Sequence, residues 1–64
     1  MQLIRLPEVL KMTSLSKSSL YRRIDAHTFP DSVSLGGRSV AWIEEEVLAW
    51  IQARIEERDI SQPH

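Results

Sequence analysis

Apolar positions along the chain follow two rhythms, one helical and one alternating, and the changes between them mark out four elements in 64 residues. A short apolar opening at Gln2–Arg5 either forms a brief strand or simply packs. Leu6, Val9 and Leu10 then recur as a narrow helical stripe. Pro7 suits the first position of that helix, where its missing N–H would be unpaired anyway, and Glu8 lies near the positive end of the helix dipole. The first helix is therefore predicted over about residues 7–12. Thr13, Ser14 and Leu15 break the pattern. Ser16 is a good N-cap, because its hydroxyl can accept from the backbone N–H of Ser18 or Ser19, and a second helix follows to about Ala26. Two short helices joined by so tight a turn predict a helix-turn-helix.

Beyond His27-Thr28, the stretch Phe29-Pro30-Asp31 forces an extended or turning backbone. Alternation takes over in SVSLGGRSVAW, residues 32–42, and Gly36-Gly37 supplies the positive φ angles of a two-residue hairpin turn. That turn sets Leu35 opposite Arg38 and Val33 opposite Val40. It predicts Val33, Leu35, Val40 and Trp42 on one face, with Ser32, Ser34, Ser39 and Ala41 on the other. The helical rhythm returns with Val47, Leu48, Ile51 and Ile55, and Trp50 falls on the margin of this stripe. Glu44, Glu45 and Glu46 in the first turn and Arg54 and Arg58 toward the other end match the dipole, so a third helix is predicted over about 43–58. The tail, 59–64, is expected to fray. Trp42 and Trp50 read as anchors wedging this helix against the hairpin, each needing a partner for its indole N–H. One domain, 1–64, accommodates all four elements: a mainly α fold with a small β-hairpin, the winged helix-turn-helix.

The second helix is the unusual one. At 100° per residue from Lys17, Leu20 and Ile24 point one way, at about 300° and 340°. Opposite them lie Ser18, Arg22 and Ser19, with Tyr21 and Arg23 on the two flanks. A helix entering a DNA major groove needs short polar side chains near its start, where the backbone comes closest to base edges. It also needs an arginine able to pair with guanine O6 and N7. Lys17, Tyr21 and Arg23 are candidates for phosphate contacts, which fix register without reading sequence, and the helix N-terminus favours an anion. Arg38, at the hairpin tip, is placed to reach the neighbouring minor groove or its phosphate wall. The plainer reading makes the serines first-turn residues and the cations a solvated face.

Charge sharpens this picture. The net charge of −1 divides into +3 over residues 1–41 and −4 over residues 42–64, which predicts a cationic working face and an acidic back. Composition mostly excludes. No cysteine is present, so disulfides and thiolate zinc sites are ruled out, and His27 and His64 are too far apart to suggest a metal centre. No apolar run approaches the length of a membrane span, and MQLIRLPEVL lacks the core of a secretory signal. No nucleophile elbow, phosphate loop or pocketed carboxylate pair stands out. The expectation is a cytoplasmic, non-enzymatic protein with no catalytic residue, metal, cofactor, small-molecule ligand or membrane partner.

The ordered set LSKSSLYRRI, FP, LGGR and AW followed by an amphipathic helix resembles the AlpA family of prophage regulatory proteins, from Arg5 to about Arg58. The resemblance implies an excisionase-like winged helix-turn-helix related to the MerR DNA-binding head. It implies a regulator that binds double-stranded DNA on the bacterial nucleoid and controls prophage or integrative-element genes. The family's reading helix falls on Ser16–Ile24 and its wing on Val33–Val40. One departure is Ser14, where the family often has glycine; a left-handed Ser14 costs on the order of 1 kcal/mol. Two other readings compete. One is an architectural excisionase that bends DNA for a recombinase; the other is a protein-interaction module working through the acidic third helix. A head this small offers few phosphate contacts, so tight occupancy calls for several copies on repeated sites or a partner protein.

Overall fold

A computed structural model describes residues 1–61. The elements run β1 (Leu3–Ile4), α1 (Leu6–Thr13), α2 (Lys17–Asp25), β2 (Val33–Gly36), β3 (Ser39–Ile43) and α3 (Glu44–Ser61). Three helices thus accompany a three-stranded antiparallel sheet in the order β1-β3-β2, the architecture of a winged helix-turn-helix. The apolar opening is a strand. Leu3 pairs with Ile43 and Ile4 with Trp42, and the Glu44 N–H donates to the Gln2 carbonyl at 2.8 Å, fastening the chain's start to the junction of β3 and α3.

Helix α1 begins at Leu6, so Pro7 occupies its second position, still within the turn whose N–H groups lack partners. Its end is built from side chain and backbone together. The Thr13 hydroxyl donates to the Val9 carbonyl at 2.8 Å, and Ser14 adopts φ 60°, ψ 19°, with its N–H on the Leu10 carbonyl. Ser14 is therefore left-handed, a conformation that glycine reaches without its Cβ penalty. Ser14→Gly is expected to stabilise the fold by about 1 kcal/mol, read as a higher urea midpoint at unchanged slope. A lower midpoint would contradict the left-handed cap.

The core gathers Ile4, Val9, Leu20, Phe29, Trp42 and Val47, with Leu6, Leu10, Leu15, Ile24, Trp50 and others packed around it. Both indoles point their N–H groups at one segment: Trp42 donates to the Pro30 carbonyl at 3.1 Å and Trp50 to the Thr28 carbonyl at 2.7 Å. The tryptophans thereby clamp the link between α2 and the wing, and Trp50 meets Phe29 edge-on at 4.9 Å.

Three expectations need correction. The hairpin turns at Gly37-Arg38, with Gly36 paired to Ser39, and a bulge at Leu35 shifts the register so that Val33 meets Ala41 and Ser34 meets Val40. The one-sided apolar face is not formed: Val33 and Leu35 are exposed, whereas Ala41 and Trp42, neighbours on β3, are both buried. At its second half β3 is covered on both faces, since Ala41 and Trp42 point to opposite sides of the sheet and are both buried, so strict alternation does not govern it. The second correction concerns α3, where Leu48 and Ile55 are exposed and the packed side runs through Val47, Trp50 and Ile51, because the sheet and the Thr28–Pro30 link decide which sector is covered. Third, α3 continues to Ser61, so 59–61 of the expected frayed tail are helical; 62–64 lie outside the described residues.

Candidate functional site

The start of α2 is fixed by its cap. The Ser16 hydroxyl accepts from the Ser19 N–H at 3.1 Å and donates to the Ser19 hydroxyl at 3.0 Å. Ser19 is consequently half-buried and engaged at the cap, though its own hydroxyl proton remains free to donate. Leu20 is fully buried and Ile24 packs against the core, which fixes the rotation of the helix. With that rotation Lys17, Ser18 and Arg22 are all exposed, as is Tyr21 in part.

Tyr21 and Arg38 come together. With Arg5, Leu6, Pro7 and Val40 they line an open groove between the start of α1, the flank of α2 and the wing. Arg38 lies in the turn itself, next to Gly37 at φ 57°; Gly36 takes φ 104°. A Cβ at either glycine would meet nothing within 4 Å, so backbone conformation rather than room calls for glycine there. Arg5 was not among the residues singled out by the sequence. It joins this groove only because β1 pairs with β3, and a two-residue strand leaves no periodic signal.

Arg23 goes to the other flank. It is half-buried, its guanidinium 5.5 Å from the centre of the Trp50 ring. Arg54 approaches the same ring at 5.3 Å, a second cation that sequence reading assigned only to the helix dipole; its position four residues after Trp50 was the available signal. Of the seven residues singled out, Lys17, Ser18, Tyr21, Arg22 and Arg38 thus share the exposed side of α2 and the wing. Ser19 belongs partly to the cap, and Arg23 stands apart from them against α3.

Electrostatically the cations of the first two helices and the wing are unspent. Among the described residues, side-chain ion pairs form only within α3, between Arg54 and Glu57 and between Arg58 and Asp59. Among the described residues, Arg5, Lys17, Arg22, Arg23 and Arg38 have no carboxylate within pairing distance. Six of the nine acids lie on α3, among them Glu45, which has a lowered pKa because its carboxylate accepts from its own backbone N–H and from that of Gln2. A surface of this kind is suited to a polyanion.

The comparisons agree with the geometry. The family described as prophage CP4-57 regulatory protein (AlpA) matches residues 2–55. An uncharacterized protein of enterobacteria phage P4, ORF88, is 48% identical over 52 residues; these are 81% of this chain and 59% of that protein, so the chain spans under two thirds of that relative. The DNA-binding transcriptional activator AlpA of Escherichia coli K12 is 37% identical over 60 residues, 83% of this chain and 84% of that protein. With a match that runs from β1 into α3 and embraces α1, α2 and the hairpin, the chain belongs to the AlpA family of prophage regulatory proteins.

Proposed function

We propose that this protein is a sequence-specific regulator that binds double-stranded DNA and controls transcription of prophage or integrative-element genes. Helix α2 enters the major groove and the wing meets the adjacent backbone or minor groove. One observation carries the reading: α2 turns Leu20 and Ile24 into the core and leaves Ser18 and Arg22 exposed, Arg22 with no carboxylate partner among the described residues. The E. coli relative's description as a DNA-binding transcriptional activator supports it.

In this reading Arg22 pairs bidentately with guanine, and Ser18 and the free proton of Ser19 contact neighbouring base edges. Lys17, the Tyr21 hydroxyl, Arg38 and Arg5 hold the phosphates of one wall of the groove, and Arg23 faces the other. None of these contacts requires a cofactor or a reaction step; the activity is binding alone.

The test is selection of duplexes from a random pool, followed by titration of the selected site at several salt concentrations. Neutralising about three to five phosphates gives a slope of log K against log salt of roughly −3 to −4.5, superimposed on a marked preference for the selected site. A flat salt response, or equal affinity for every duplex, would refute the proposal. Transcript mapping beside assay of excised junctions then separates gene control from an architectural role in recombination.

A further inference from the structure

Trp50 holds more positive charge than its packing needs. Its indole is fixed by the hydrogen bond to Thr28 and the edge contact with Phe29, and two guanidinium groups, Arg23 at 5.5 Å and Arg54 at 5.3 Å, gather on its ring. The two cations can lie no farther apart than the sum of these distances. Among the described residues only Arg54 of the two has a carboxylate partner, Glu57, which is itself largely exposed. The Arg54 Nε is buried and has no hydrogen-bond partner. Beside the ring an open pocket is lined by His27, Thr28, Phe29, Pro30, Trp50 and Arg54. His27, at its rim, takes a left-handed φ of 61° as part of the cap that ends α2, with the Thr28 N–H on the Arg23 carbonyl at 2.8 Å and the His27 N–H on the Ile24 carbonyl at 3.0 Å.

Two half-buried guanidinium forks on a rigid aromatic platform, with one exposed carboxylate between them among the described residues, are suited to an oxyanion. Position says which one. Tyr21 and Arg23 lie on opposite flanks of α2, each about 100° from Arg22. A helix with side chains is about 10–12 Å across and the major groove about 12 Å wide, so a helix in the groove faces a phosphate wall on either flank. The groove formed by Arg5, Tyr21 and Arg38 attends one wall. We infer that Trp50 is a platform holding Arg23 and Arg54 as a two-guanidinium clamp for a backbone phosphate on the opposite wall, so that the acidic third helix contributes a cation to the DNA interface. This rests on the DNA-binding reading above. It adds Arg54 and Trp50 to the interface and gives the pairing with Glu57 a meaning: Glu57 competes with DNA for Arg54.

The competing explanation is that the arginines merely cover an indole. Anisotropy titrations of the whole chain with the selected duplex and a scrambled one separate the two. Arg54→Gln is expected to weaken both duplexes by the same factor, about 3- to 10-fold near 0.1 M salt, and to reduce the magnitude of the salt slope by about one. Glu57→Gln, at an exposed site, is expected to tighten both about 2- to 3-fold by removing the competing carboxylate. Thermal melts of each variant keep folding separate from binding. Parental affinity and slope in both variants, alongside a parent that binds with a steep salt response, would overturn the clamp and leave the DNA reading intact. A parent that binds neither duplex would overturn both.

Discussion

Arg22→Ala is expected to cost roughly 5- to 150-fold in affinity for the selected duplex and far less for a scrambled one, with the melting curve unchanged. The magnitude corresponds to about 1–3 kcal/mol for one bidentate arginine–guanine pair. The unchanged melt follows from exposure: among the described residues Arg22 has no ion-pair partner, and its backbone carbonyl, which caps the end of α2 through the Ala26 N–H, is untouched by the substitution. Arg22→Lys makes the experiment sharper. Lysine keeps the charge and loses the planar fork, so non-specific affinity should return while discrimination at one base pair does not. Glu45→Gln and Glu46→Gln, on the exposed acidic turn of α3, should leave binding intact or strengthen it. The reverse pattern, with an indifferent Arg22 and indispensable glutamates, would mean that the acidic helix docks a protein and that α2 reads nothing.

Trp42→Ala is expected to leave the chain without a cooperative folding transition at 25 °C. Its side chain is 1% exposed at the centre of the middle strand, between the β1 pairing at Ile4 and the core residues Val9, Leu20 and Val47. Truncating a buried tryptophan costs about 3–5 kcal/mol, and a core in a chain this short supplies about the same in total. The substitution also orphans the Pro30 carbonyl and so loosens the link that carries the wing. Trp42→Phe should retain folding with a reduced urea midpoint, because it keeps most of the apolar volume and removes the donor. A cooperative transition for Trp42→Ala within about 1 kcal/mol of the parent would show that this side chain is not the keystone its burial indicates.

Helix α2 was legible because three local signals coincide there: a serine cap, the spacing of Leu20 and Ile24, and polar residues everywhere else. Nothing distant had to be known. The wing was legible as a hairpin but not in register. Two adjacent glycines offer two places to turn, and the chain turns at Gly37-Arg38 with a bulge in β2, an extra residue that period-2 alternation does not specify. The apolar pattern of α3 likewise contains more candidates than one face can bury. Trp50 prevailed over Leu48 and Ile55 through its hydrogen bond to Thr28, a contact across 22 residues. Arg5 and Arg54 escaped notice for the same reason: each becomes part of a cationic surface only through pairing or packing with a segment far along the chain. Local chemistry set the ends and the rotation of α2, and tertiary contacts completed its surroundings.

The bulge at Leu35 has a bearing on crowding. Strand β2 borders the sheet, and an uncovered border of amide groups invites neighbouring molecules to zip on. Four residues interrupted by a kink make a poor template for such addition. Copies lined up side by side on a nucleic acid, at high local density, would therefore remain discrete bodies instead of growing into a fibre.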